Sequence, residues 1–526
     1  MTVPAYSTDL QTVSLADSDT NWAEIPSRKG GGAQTLEDRA YIQGSYSISQ
    51  STGAATGQTV GLMYDYGSNI SGWTTGWVFL IWQYWQAPFA IQSWANGGMR
   101  FGVGSGSGDV NLFNTQGYDY GRNPYGGWAN VAVDPTFTYD EQVGSPTAGN
   151  YRYFWSAPYL TQAVSKGNPH CVDAIRYGRG ELKIEFGETD DYGTFEGLAA
   201  KNDANDATDG YNRWGLFQLQ FGSYLWKGLM SFGNSTNACD FRDANRNIVI
   251  DDTPRTYASF NRIEINNSSS KVYWTSVNIT PLNPSGLSIG ELEVVNDCDV
   301  QFDQCTFTDM GTFIFQSSSI ISNCIFRRCG EITQGGGDFD GCRFAYSSAA
   351  VALVVDDPDN IDDCTFISTG TGHAIELTAD CAGNSYTLTN FWVSGYATSD
   401  GSTGNEVILN SSGGTVTINI DGGSGVSALS IKGGNVSLVA NYSFTVKGLE
   451  LNTEVTIVTA GTSTVLHNTE NASTSDGAGK YQITYSHGGG ATVDVLIHHI
   501  DYKPDISNIY GITLPGSNSE AKVKMF

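Results

Sequence analysis

Two aspartates, Asp338 and Asp340, stand two places apart and are the residues of this chain best suited to chemistry. On a strand, i and i+2 share a face. Two carboxylates about 5–9 Å apart in a groove are what general acid/base cleavage of a glycosidic bond requires. A second acidic group follows at Asp356, Asp357, Asp359, Asp362 and Asp363. The spacing also has a plainer meaning. Asp303, Asp340 and Asp362 recur just after the first apolar residue of a repeated sextet. A recurring position favours an acidic stripe or a turn ladder over a unique catalytic pair, and Asp favours turns in any case. No nucleophile elbow, HExxH, P-loop or dinucleotide fingerprint accompanies them. Asp338 and Asp340 stand as an alternative catalytic pair beside a reading in which the chain catalyses nothing.

Ten of the twelve tryptophans precede residue 230. Trp73, Trp77, Trp82, Trp85 and Trp94 are the candidates for stacking on sugar rings. Trp77 and Trp85 share strand parity with Phe79 and Ile81, while Trp82 and Tyr84 take the other face. A strand apolar on both faces is central in a packed sandwich, so core packing competes with ligand contact at each position. Trp73, beside Gly72 in a loop, is the candidate most open to solvent.

No metal site or cofactor is expected. Nine cysteines carry no Cys-x-x-Cys pair, and no His lies close to the repeated ones, so zinc is poorly served. Residues 203–210 begin like a calcium loop but place Ala207 and Thr208 where an oxygen ligand and Gly belong. Residues 243–247 start correctly, then have Ile248 for the Gly and Pro254 for the closing Glu. Both read as Asx-rich turns. His498 and His499 are adjacent and face opposite sides of a strand, so together they form no site.

The elements that must position these residues are legible in a repeat. Residues 302–307 read F-D-Q-C-T-F, 321–326 I-S-N-C-I-F, 339–344 F-D-G-C-R-F and 361–366 I-D-D-C-T-F. Cys305, Cys324, Cys342 and Cys364 are thus 19, 18 and 22 residues apart. A step near twenty marks a solenoid and leaves no room for a helix beside several strands. The simplest structure is a right-handed parallel β-helix with Cys and Phe pointing inward as a column of small buried thiols and rings. Residues 274–279 put Val277 and Ile279 at those positions, and residues 388–393 put Phe391 and Val393 there. The coils are assigned to residues 258–447, a rod ~45 Å long at about 4.8 Å per coil.

Before them, strand-like runs at 41–49, 59–66, 76–85, 99–103, 128–133, 182–186 and 216–221 are separated by Gly, Asn, Asp and Pro. They predict a β-sandwich over residues 18–257, preceded by an arm at 1–17. After them, longer alternating runs at 449–459, 480–485 and 491–499 predict a small β-sandwich over 448–526, covering a solenoid end that would otherwise expose strand edges. The fold class is all-β.

The 27 Lys plus Arg against 54 Asp plus Glu give a formal charge of −27. That balance excludes a nucleic-acid binder and disfavours docking on anionic lipid. The N-terminus lacks the basic and apolar regions of a secretory signal, and no apolar run is long enough to span a membrane. A β-rich, adhesin-like chain without an export signal fits a virus particle assembled in the cytoplasm and released by lysis, or an export route that reads no such signal.

The segments Y-I-Q-G-S-Y-S-I-S at 41–49 and G-W-A-N-V-A-V-D-P at 127–135 resemble the concanavalin-A-like (laminin-G-like) jelly rolls near the start of many tailed-phage structural proteins, over roughly residues 18–255. Residues 493–504 resemble terminal β-domains of phage tail and capsid-surface proteins. The whole chain resembles a tailed-bacteriophage virion structural protein, of the tailspike, fibre or capsid-decoration type. The resemblance implies location in the virion, other capsid or tail proteins as partners, adhesion to host surface polysaccharide, and assembly as a homotrimer. Its rivals are a polysaccharide-degrading tailspike enzyme and a bacterial surface adhesin.

Overall fold

A computed structural model describes residues 5–26, 31–54, 61–85, 99–116, 127–157, 164–185, 192–208, 210–220, 222–251, 260–282, 290–396, 404–424, 431–433, 436–439, 442–469, 472–487, 491–499, 508–514 and 518–524. The fold is all-β in several sheets, with one α-helix among the described residues. The chain divides into two compact units, Met1–Val272 with Asn278–Leu292, and Tyr273–Val277 with Glu293–Phe526.

In the first unit, alternating apolar residues build two antiparallel sheets. One runs Gly127–Val133, Val78–Trp85, Val164–Gly178, Ser47–Ala54, Gly31–Glu37. The other runs Glu141–Val143, Asp109–Gln116, Met99–Gly106, Tyr153–Ser156, Leu62–Asp65, Trp22–Glu24. Phe79, Ile81, Val131 and Val172 from the first meet Phe101, Val103, Phe113 and Phe154 from the second in one core. Along Val78–Trp85 the alternate residues Leu80 and Trp82 are buried on the opposite face, as expected of a central strand.

The run 41–49 departs from its expectation, because the strand starts only at Ser47. Carboxylates hold residues 42–46 as a loop instead. Asp173 accepts from the backbone N of Ile42 and Gln43, and Asp17 from those of Ser45 and Tyr46. Burial raises the Asp173 carboxyl to about 7. Gly44 between them has φ +67, a conformation suited to glycine.

Parallel pairing begins upstream of residue 258. Glu181–Glu185 pairs in parallel with Leu229–Phe232, which pairs in parallel with Arg262–Ile265. The N-terminal strand Ala5–Thr8 lies antiparallel along the outer edge of Glu181–Glu185. The helix Phe195–Asp203 is N-capped by the Thr194 hydroxyl, and Phe195 packs edge-on to Phe241 at 4.8 Å. Asp203, the first residue of the calcium-like segment, closes this helix, and burial lifts its carboxyl to about 6. Asp243, which opens the other such segment, accepts from Arg246 Nε at 2.7 Å and from the backbone N of Phe195.

In the second unit the sextets lie on one another in a single register. Phe302 pairs with Ile321, Ile321 with Phe339 and Phe339 with Ile361, all in parallel. Phe307 aligns likewise with Phe326, Phe344 and Phe366. A third ladder runs Phe313–Ile314, Ile332–Thr333, Val351–Val355, His373–Leu377, Ile408–Asn410, Ile431–Lys432. The residue before each Cys turns the corner: Gln304, Asn323, Gly341 and Asp363 have φ between 52 and 64°. Side chains that tolerate this left-handed region, or glycine, suit the position.

The last part of the second unit holds two four-stranded sheets around one core that includes Phe444, Val455, Ile483 and Val495. Its first strand is Tyr442–Leu449, which starts a few residues before the expected 448 boundary and pairs antiparallel with Tyr481–His487. His467 is buried there against Trp392 and Tyr485, at 5.1 and 5.7 Å between ring centres.

Candidate functional site

The first unit holds a cavity of about 510 Å³ beside the strand Asp109–Gln116. Loops between residues 134 and 151 wall it, and short polar contacts pin them. Asp134 accepts from the Thr136 backbone N and hydroxyl at 2.8 and 2.7 Å, while its carbonyl accepts from Phe137 N. Asp140 accepts from Asn114 N, Asp109 from Ser145 N and the Ser105 hydroxyl from Thr147 N, at 2.8, 2.8 and 2.9 Å. The turn so formed presents Phe137 and Tyr139 at 41% and 42% exposure, and Tyr139 donates to Gln142 at 2.8 Å. Pro135, Pro146 and the buried Tyr151 add apolar wall.

Asn111 also lines the cavity, and its side-chain oxygen is shielded from solvent with no hydrogen-bond partner. Leaving a buried acceptor unpaired costs about 1–3 kcal/mol. No lining residue is charged. A cavity of this size, largely apolar with a few polar groups, has the build of a small-ligand site. The site contains no tryptophan, the residue type that marks sugar-stacking positions most visibly in the sequence. The available signal was P-T-F-T-Y-D at 135–140, two aromatics on one parity between a Pro and an Asp.

The tryptophans are placed otherwise. Trp73 is half-buried, edge-on to Tyr151 at 5.0 Å, with its Nε1 donating to the Trp77 carbonyl. Trp77 is half-buried 6.0 Å from Tyr177, and both indoles pack against the sandwich core. Trp82 is corrected as a sugar platform: it is 4% exposed, and its Nε1 donates to the Arg213 carbonyl at 3.0 Å. Trp85 ends its strand with a side chain outside the described residues, and Trp94 lies wholly outside them.

Asp338 and Asp340 flank the buried Phe339 and are both exposed, on one outer face of their strand. Among the described residues Asp340 sits directly against Asp362 on the next turn. Partial burial raises the Asp340 carboxyl, and the charges of Asp363, Asp362 and Asp338 raise it further. Asp362 is raised for the same first reason, against a hydrogen bond from Thr389 that lowers it. The neighbouring acids have local tasks. Asp356 accepts from Thr378, Asp357 caps the short turn at Pro358–Asn360, Asp359 accepts from Thr387 N, and Asp363 accepts from Asn390.

Cys305, Cys324, Cys342 and Cys364 are buried in a column, with Cys305 N donating to Cys324 Sγ at 3.3 Å. Burial pushes the Cys342 thiol well above its ordinary value and Cys329 to about 12. Thiols held in this form are poor nucleophiles.

No family model and no curated protein matches the chain. Among solved structures it is similar to a family 11 carbohydrate-binding module from Clostridium thermocellum in complex with a mixed-linked tetrasaccharide, at 13% identity over 33% of this chain and 95% of that one, TM-score 0.20. It is similar to a Caldicellulosiruptor saccharolyticus carbohydrate-binding module in complex with mannohexaose, at 13% identity over 32% and 97%, TM-score 0.22. It is also similar to the catalytic domain of a GH87 alpha-1,3-glucanase in complex with tetrasaccharides, at 11% identity over 80% and 76%, TM-score 0.17. TM-scores of this size do not establish a common fold.

Proposed function

We propose that this chain is a structural protein of a tailed-phage particle surface, in which a right-handed parallel β-helix supplies rigidity and an N-terminal jelly-roll sandwich adheres to host glycans. The observation that carries the reading is the in-register stacking of residues 299–394, with Phe307, Phe326, Phe344 and Phe366 superposed in one inner column. Each turn is hydrogen-bonded to the turns on both sides, so bending must break many bonds at once. A stiff element of this kind suits display, and the aromatic cavity of the sandwich suits contact. The place on the particle rests on the resemblance at 41–49 and 127–135. Purified particles analysed by mass spectrometry, against host membranes as control, test it: recovery with the membranes alone would sink the virion assignment. Assembly as a trimer belongs to the same proposal and predicts a mass in solution three times the 56.5 kDa of one chain.

The raised carboxyls of Asp340 and Asp362 favour one second reading, cleavage of polysaccharide at the acidic face. Release of new reducing ends from host polysaccharide, abolished in Asp338→Asn and Asp340→Asn, would establish that reading over the purely adhesive one.

A further inference from the structure

We infer that the cavity walled by Phe137, Tyr139 and Asn111 binds an uncharged pyranose unit of a polysaccharide. This rests on the glycan-adhesion reading above and narrows it to a place and a chemical class. Three features of the site lead there.

The first is its pair of rings. Phe137 and Tyr139 are among the exposed large hydrophobics of the chain, yet the turn that carries them is fixed by Asp134 and Asp140. Rings held in place before binding lose little freedom on contact. Their faces suit the C–H side of a sugar ring, whose polarity matches the negative face of an arene.

The second is the unpaired oxygen of Asn111. Asn111 lines the cavity, so its amide gives a hydroxylated ligand a polar neighbour that a purely hydrophobic one would not use. Thr136, Thr138 and Thr147 supply further hydroxyls along the same wall. A polyhydroxylated ligand satisfies such a lining and a purely apolar one does not.

The third is charge. The lining contains neither Lys nor Arg, and the carboxylates of Asp109, Asp134 and Asp140 hold the loops that form it. A uronate or sialate entering the cavity would meet like charge with no cation to pair with. The excess of acid over base across the whole chain acts in the same direction.

The test applies the full-length protein to an array of neutral and anionic oligosaccharides, followed by calorimetry with dextran, mannan and laminarin against alginate and polygalacturonate. Neutral sugars are expected to bind. Phe137→Ala, Tyr139→Ala and Asn111→Ala should each weaken that binding at least tenfold. The Asn111→Ala protein should melt no earlier than the parent, since the change removes an unpaired oxygen; this separates a binding role from a structural one. Neutral-sugar binding undiminished in all three variants, or binding confined to anionic polymers, overturns this inference and leaves glycan adhesion standing. Absence of binding to every glycan of both classes overturns the two together.

Discussion

Phe344 shows how much one side chain contributes to the ladder. It is 2% exposed and lies nearly parallel to Phe326 at 5.2 Å and to Phe366 at 4.5 Å. Phe344→Ala removes contacts on both sides and is expected to cost about 3–5 kcal/mol, read as a lower midpoint in denaturant. The contrast at the same scale is Asp340. It is exposed among other carboxylates, so Asp340→Asn should change stability by no more than about 0.5 kcal/mol in a melting experiment. Residue roles were only partly legible. Cys-x-Phe announces an inward pair because a strand repeats every second residue, and all four pairs are buried. The burial of Trp82 was legible in a strand apolar on both faces, but the partner of its Nε1, the carbonyl of Arg213, was not, because it lies far away in sequence.

At the scale of elements, the corners and the final sheets make separate claims. Gly341 has φ +64, and an added Cβ would lie 2.7 Å from Asn323 Oδ1. Gly341→Ala should cost roughly 1–2 kcal/mol for the left-handed backbone, whereas Gly341→Asn, matching Asn323 and Asn390 at equivalent corners, should cost less. In the last sheets, burial lowers the His467 imidazole to about 4 from 6.5, and His487 is lowered too. The unfolded chain therefore takes up protons below pH 6.5 while the folded one does not until about 4. Stability is full above 6.5 and falls as pH drops toward 4, by up to about 1.4 kcal/mol per pH unit for His467. Near-UV circular dichroism against pH should show this region loosening first, and His467→Phe should flatten the slope. The first unit has offsetting groups: His170 is lowered to about 3, whereas Asp173 is raised to about 7, so acid disfavours one and favours the other. The element order was legible where the sextets recur and in most N-terminal strands. The turns from Glu181 to Ile265 were not, because their one Cys-x-Phe pair, Cys239 and Phe241, stands alone without a copy about twenty residues away, and a helix and an antiparallel hairpin separate them. The cavity was invisible for a related reason: residues 103–111 and 135–151 meet only through the fold.

For the molecule as a whole, the thiols give a direct measure of integrity. All nine cysteines are free and buried. A chromogenic thiol reagent should therefore find almost none in the native protein and nine after full denaturation. Rapid labelling of several without denaturant would mean that the ladder opens readily.

The strand Ala5–Thr8 runs opposite to its neighbour along the first edge of the parallel ladder in the first unit. That reversal has a use beyond local stability, because the backbone groups of Glu181–Glu185 on that side have no other strand to pair with among the described residues. Trimming the chain before Asp9 would leave a bare template there, on which a second molecule could lay its own ribbon. Dimers joined edge to edge, visible as a doubled mass by light scattering after such a truncation, would be the cost of losing four residues of closure.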